Sequence, residues 1–116
     1  MGGLQIVGLD DFWSVCYSPA ACPLAAGPSI CLVHNPDAVD DPGLPQADWT
    51  LSGHTHGGQC KFRGFDPPML PVKNKQYAAG GVDRGSGRRL YVNRGLGYLW
   101  RIRFGVRPEI TLFTLR

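Results

Sequence analysis

Gly53-His54-Thr55-His56-Gly57-Gly58 sets two imidazoles two residues apart in a frame of glycines, directly behind the short β-prone run Trp49-Thr50-Leu51-Ser52. In an extended backbone alternate side chains leave on the same face, so this spacing predicts that His54 and His56 converge on one ion or on two adjacent ions. In a helix they would diverge. Gly53, Gly57 and Gly58 favour a loop that a metal or ligand can approach closely, which sets the pair at a strand end. Taken alone, a His-X-His is equally a surface loop without a role or two satisfied core histidines.

A third histidine narrows the choice. The chain has only three, and His34 closes Ser29-Ile30-Cys31-Leu32-Val33, which has the length and composition of a buried strand, before the turn Asn35-Pro36-Asp37. All three histidines therefore end β-like segments and open loops. Sheets of the α/β class place ligand chemistry there, beyond the carboxyl ends of their strands.

Outward from these segments, Leu4 to Leu9 reads as a first strand, and the adjacent acids Asp10 and Asp11 that leave it are candidate extra ligands. Between Cys16 and Gly27 the residues are small and Pro19 and Pro23 interrupt, so any helix there is short. Asp37 to Leu44 has room for one helical turn before Pro45, and Ala47 to Ser52 is the strand feeding the histidine loop. After Gly53 the pattern is antiparallel β, with strands expected at Gly58 to Phe62, Gln76 to Val82, Arg89 to Asn93 and Glu109 to Leu115. Asp83 to Gly87 reads as a hairpin connection. In Trp100-Arg101-Ile102-Arg103-Phe104 the apolar and basic residues alternate, which predicts a half-buried strand with both arginines on its solvent face. The proline-rich run Phe65 to Pro71 reads as a stiff loop.

Length and composition bound the class. With 116 residues the chain is one domain burying about two thirds of its unfolded surface. Sixteen glycines and ten prolines punctuate apolar runs instead of forming a low-complexity tract, which indicates short strands and long loops. A net charge of +3 allows an anionic partner without demanding one. No groove-reading or RNA-binding signature accompanies the arginine face near Tyr98, so no nucleic acid is expected. Cys16, Cys22, Cys31 and Cys60 contain no Cys-X-X-Cys pair, which excludes a zinc ribbon or thioredoxin-type motif and favours free thiols in a reducing, cytoplasmic compartment. No apolar run approaches the roughly 20 residues of a membrane-spanning helix.

Three blocks carry a family resemblance. Val33-His34-Asn35-Pro36-Asp37, Leu51-Ser52-Gly53-His54-Thr55-His56-Gly57-Gly58-Gln59 and Asn93-Arg94-Gly95-Leu96-Gly97 resemble, in order and spacing, the closing half of the calcineurin-like metallophosphoesterases. Within that superfamily the chain resembles the bacterial YaeI-like and UDP-2,3-diacylglucosamine hydrolase-like branch. The resemblance implies the C-terminal half of an α/β sandwich, β-rich with few short helices. It implies that His34, His54 and His56 are metal ligands, with His54 and His56 catalytic, in a centre of two divalent ions; manganese, iron, zinc and nickel all suit imidazole. The reaction implied is hydrolysis of a small phosphoester by a metal-activated water. Arg94 is a candidate phosphate contact, or else a structural arginine bonded to loop carbonyls. Asn35 is a candidate for orienting His34, or else a turn residue before Pro36.

The family's opening half supplies an Asp-X-His pair, a Gly-Asp-X-X-Asp motif with the bridging aspartate, and a Gly-Asn-His-Asp/Glu motif; none of them stands in this sequence. Asp10 and Asp11 match a middle strand of the branch that is not a metal motif, so they rank below the histidines as ligands. Met1-Gly2-Gly3 then reads as a start in the middle of a fold, and residues 1–116 as a single partial domain. Loss of the other half predicts an uncovered apolar sheet face and self-association into a homodimer or higher oligomer. The functional expectation is a metal-dependent phosphoesterase, working as an oligomer or with a complementing half. The alternatives are a non-catalytic metal-binding or interaction module and a minimal three-histidine, single-metal hydrolase.

Overall fold

β1 (Gln5–Gly8), β2 (Ser29–Leu32), β3 (Trp49–Ser52), β4 (Gly80–Gly85) and β5 (Arg88–Val92) form one mixed sheet in the order β1-β2-β3-β5-β4. The computed structural model describes residues 3–116; Met1 and Gly2, part of the run read as an internal start, lie outside the described residues. β1, β2, β3 and β5 run parallel, with Val7 beside Cys31, Cys31 beside Thr50 and Thr50 beside Leu90, and β4 closes one edge antiparallel to β5. This is the β-rich α/β class that the sequence indicates.

Parallel strands need long crossovers, usually helical. Here prolines keep them short of a full helix. The first crossover holds the 3-10 turn Pro19–Ala21, and the second holds Pro36–Asp40, where Asn35 caps by accepting from the Asp37 N–H at 2.9 Å. The second turn lies one residue nearer the chain start than the expected span.

The core occupies one face. Cys31, Leu90 and Val92 are fully enclosed beneath Ala38, Val39, Leu44, Ala47 and Tyr77. Burial, and then the neighbouring Cys22, pushes the Cys31 thiol up to about 11, so it stays protonated and inert. Period-2 alternation sends Ile6, Leu32, Trp49, Leu51 and Tyr91 to the opposite face, where Ile6 and Leu32 are exposed. Phe113, whose ring meets those of Trp49 and Tyr91, covers part of this face, and the Arg89 guanidinium lies over the Trp49 ring at 5.6 Å.

Four expectations beyond Gly53 are corrected. Gly58 to Phe62 is not a strand, because His56, Gly57, Gly58 and Gln59 all adopt positive φ and coil the backbone into the 3-10 turn His56–Gly58; only Cys60 forms a bridge, with Phe104. Gln76 to Val82 divides into the 3-10 turn Lys75–Ala78, capped by Asn74, and the start of β4. Glu109 to Leu115 forms no ladder; it is tied through the Glu109 and Thr111 side chains. Trp100 to Phe104 is an exposed loop, not a half-buried strand, because the Gln59 carboxamide takes its backbone groups: Nε2 donates to the Trp100 and Ile102 carbonyls, both at 2.8 Å. The hairpin holds, with a bulge between Asp83 and Gly85.

Candidate metal and phosphoester site

Each candidate from the sequence lies just past the carboxyl end of a parallel strand: Asp10 and Asp11 after β1, His34 and Asn35 after β2, His54 and His56 after β3, and Arg94 after β5. The exits of β2 and β3 are locked together. Ser52 Oγ contacts the Val33 and His34 carbonyls at 2.7 and 3.0 Å, and the Gly53 N–H donates to the His34 carbonyl at 3.1 Å. This fixes where each imidazole starts.

His34 Nε2 and His54 Nδ1 meet at 3.1 Å. The far nitrogen of His54, Nε2, lies 3.1 Å from the Pro71 carbonyl, which can only accept. Nε2 therefore carries the proton of neutral His54, and Nδ1 accepts from His34. Burial, and then the neighbouring His34, lowers the His54 pKa, outweighing the Pro71 carbonyl, Asp11 and Asp37. Neutral imidazole with its remote N–H on a backbone carbonyl is the state in which histidine ligates metals. The Trp13 ring stands edge-on to His54 at 4.9 Å.

His56 departs from the extended geometry expected of it. His54 and His56 have φ of 68° and 49°, left-handed values that cost a non-glycine residue about 1–3 kcal/mol each. They turn the two rings apart, so His56 Nδ1 donates to the Gly97 carbonyl at 3.1 Å while His54 faces His34. Thr55 holds the turn between them, donating to the Ala78 carbonyl at 2.6 Å and accepting from the Gly57 N–H at 3.1 Å. All three histidines line one apolar cleft of about 750 Å³ with Met69, Trp100 and Ile102.

The donor set is incomplete for a metal centre. A closed site needs three or four donors. His34 and His54 present two facing nitrogens, and among the described residues no group of three or more His, Cys, Asp or Glu side chains converges to hold an ion. Asp10 Oδ1 is occupied by the Asp11 N–H and Asp11 Oδ1 by the Trp13 N–H, each at 2.8 Å. Asp37 accepts from the backbone of Lys73 and Asn74. Asn35 is fully buried; its Oδ1 caps the following turn, and its Nδ2 meets no hydrogen-bond partner among the described residues. Arg94 donates through Nε to Glu109 at 2.7 Å.

Three organising residues escaped the sequence reading. Gln59 knits the loop after His56 to the loop 99–104. Arg103, expected on a solvent face beside Arg101, turns inward, where its Nη2 donates to the Arg94 and Gly95 carbonyls at 2.9 and 3.2 Å and to the Gly97 carbonyl that also holds His56. Trp13 reaches His54 from the loop that follows β1. Gln59 and Trp13 find these partners about forty residues along the chain, and Arg103 turns back onto carbonyls six to nine residues before it, so nothing beyond the glycines near Gln59 and Arg103 signals them in the sequence.

No family model and no solved structure matches the chain. Among curated proteins it is similar to phosphodiesterase YaeI of Escherichia coli (strain K12), 36% identical over 111 residues that cover 96% of this chain and 41% of that protein. It is 45% identical over 89 residues to the uncharacterized metallophosphoesterase YkuE of Bacillus subtilis (strain 168), covering 76% of this chain and 31% of that one. It is 38% identical over 123 residues to UDP-2,3-diacylglucosamine pyrophosphatase LpxG of Chlamydia trachomatis (serovar D), covering 94% and 36%. The chain spans less than half the length of these relatives.

Proposed function

Because the chain belongs to the metallophosphoesterase family, we propose that residues 1–116 form one part of a larger domain and supply the histidine side of a phosphoester-hydrolysing site. The observation that carries this reading is the His34–His54 contact of 3.1 Å across the exits of two adjacent parallel strands. The relatives' names imply divalent metal ions. In this reading His34 and His54 hold a divalent ion together with donors from a complementing segment or a second copy, His56 serves the same centre from its loop, and two ions, of manganese, iron, zinc or nickel, complete it.

The chain's own residues define what they contribute. The Pro71 carbonyl keeps His54 in one tautomer and orientation, and the Gly97 carbonyl does the same for His56. The strained backbone at both histidines fixes the donors before any ligand arrives. Arg94, anchored through Nε, can offer its terminal nitrogens to a phosphate. The substrate is a small phosphoester; a diacylated sugar nucleotide, the type of molecule named for the Chlamydia relative, is one candidate.

A non-catalytic, metal-binding module is the second reading, favoured by the incomplete donor set. Hydrolysis of bis-p-nitrophenyl phosphate and p-nitrophenyl phosphate, with manganese, zinc or chelator, separates the two. Metal-dependent turnover that falls at least a hundredfold in His54→Ala is the expected result. Turnover indifferent to His34→Ala and His54→Ala would overturn the phosphoesterase reading, and metal binding without turnover would select the non-catalytic module.

A further inference from the structure

At the end of the sheet away from the histidines, a small cavity of about 70 Å³ opens on the core face. Buried Val39, Leu44 and Ala47 wall it, and Thr50, Arg84 and Arg88 supply its polar groups; none of its lining residues is acidic. Strand alternation brings two of those groups together. Thr50 shares the core face with Ser52 on β3, and Arg88 shares it with Leu90 and Val92 on β5, the parallel neighbour. Both lie near the amino ends of their strands, whereas His34, His54 and Arg94 follow carboxyl ends.

The charges around the cavity do not cancel. Arg84 is already engaged, its Nη1 donating to Asp40 Oδ1 at 2.8 Å and its Nη2 to the Val39 carbonyl at 2.7 Å. Arg89 leaves on the opposite face, over the Trp49 ring. The Asp48 carboxylate accepts from the Ser29 backbone and hydroxyl, and that of Asp83 from the Gly85 N–H. The half-buried Arg88 side chain makes neither an ion pair nor a hydrogen bond among the described residues. A guanidinium drawn partly out of water without a counter-charge costs free energy that an anion beside it would recover. Thr50 gives an independent sign of a missing partner: it is 6% exposed, yet its hydroxyl makes no hydrogen bond among the described residues, which is uncommon for a buried polar group. We propose that this cavity binds a small tetrahedral oxyanion, inorganic phosphate or the phosphoryl end of a small ester, with Arg88 as its counter-charge and the Thr50 hydroxyl as a neutral donor. The planar guanidinium fork matches two oxygens of such a group, and the apolar walls leave no room for an organic remainder, which must extend into solvent. The site lies apart from the histidine cleft, and the proposal is independent of the phosphoesterase reading.

The test is titration of the isotope-labelled, metal-free 116-residue chain with inorganic phosphate, followed by NMR, with glycerol phosphate and chloride in parallel at matched ionic strength. Phosphate should move the signals of Thr50 and of the Arg88 and Arg84 side chains in the unsubstituted protein, a readout that does not depend on any variant folding. Arg88→Gln should weaken phosphate binding at least about tenfold, and Thr50→Val, which keeps the side-chain shape, about three- to tenfold. Equal binding of glycerol phosphate would support the phosphoryl end of an ester as the ligand, and binding of phosphate alone would support the free anion. No shift at Thr50 and Arg88 in millimolar phosphate would overturn the proposal. So would shifts that chloride reproduces, shifts confined to Arg94 and the histidine loops, or an affinity unchanged in Arg88→Gln.

Discussion

Glu109 anchors Arg94 at the exit of β5: the guanidinium Nε donates to the carboxylate at 2.7 Å, and the Arg94 backbone N–H reaches the same oxygen at 3.3 Å. Burial alone would raise the Glu109 pKa, but hydrogen bonds from Thr111, Tyr91 and Arg94 outweigh it and hold the carboxyl at about 2, against 4.5 for a free side chain. A carboxyl depressed on folding stabilises the fold above its unfolded pKa and loses that contribution as the pH falls through the folded value. Stability should therefore decline between about pH 4.5 and about pH 2. Half-exposed Arg94 limits the contribution to about 1–2 kcal/mol. Urea unfolding across that window should show the loss, and Glu109→Gln should flatten it.

Gly58 should tolerate no side chain. An added Cβ would lie 2.1 Å from the Pro67 Cβ at a φ of +76°. Gly58→Ala is expected to cost about 2–4 kcal/mol, combining left-handed strain with a forced shift of loop 59–71. Gly64 has a similar φ of +85° but open space around it, so Gly64→Ala should cost only about 1–2 kcal/mol. Urea midpoints of the two variants separate crowding from backbone strain; equal losses would mean that Pro67 yields freely.

The uncovered sheet face should drive association. Leu32 and Ile6, exposed on strands that hydrogen-bond to each other, make up part of an apolar surface that water meets directly. Sedimentation velocity at micromolar concentration should find oligomers, and Leu32→Glu should shift them towards monomer with little loss of fold stability. A monodisperse parent chain would count against this face as an oligomer contact.

That the three histidines follow strand ends is legible in the sequence, because strand ends can be read from apolar runs that stop at turns. Ser29 to Val33 and Trp49 to Ser52 are such runs, and the histidines follow them. What could not be read was which way the rings point. Glycines on both sides signalled a loop, but the left-handed backbone at His54 and His56 themselves is imposed by Thr55, Gly97 and Pro71, which lie one to about forty residues away. Alternation likewise misled at Trp100 to Phe104. Period 2 marks a strand only where a neighbouring strand offers its backbone, and here the Gln59 side chain occupies those groups first.

The place of β5 also sets an order of events. It is the last strand along the chain, yet it lies between β3 and β4, and it carries Leu90 and Val92, both wholly enclosed. Until those residues emerge during synthesis, β3 has one naked edge and β4 has no partner. The parallel crossovers hold only 3-10 turns, so no stable helix forms early to shelter the waiting strands. A chain stopped before Arg88 would thus lose the middle of its sheet, not a dispensable tail, and the nascent protein is most prone to mispairing just before β5 is made.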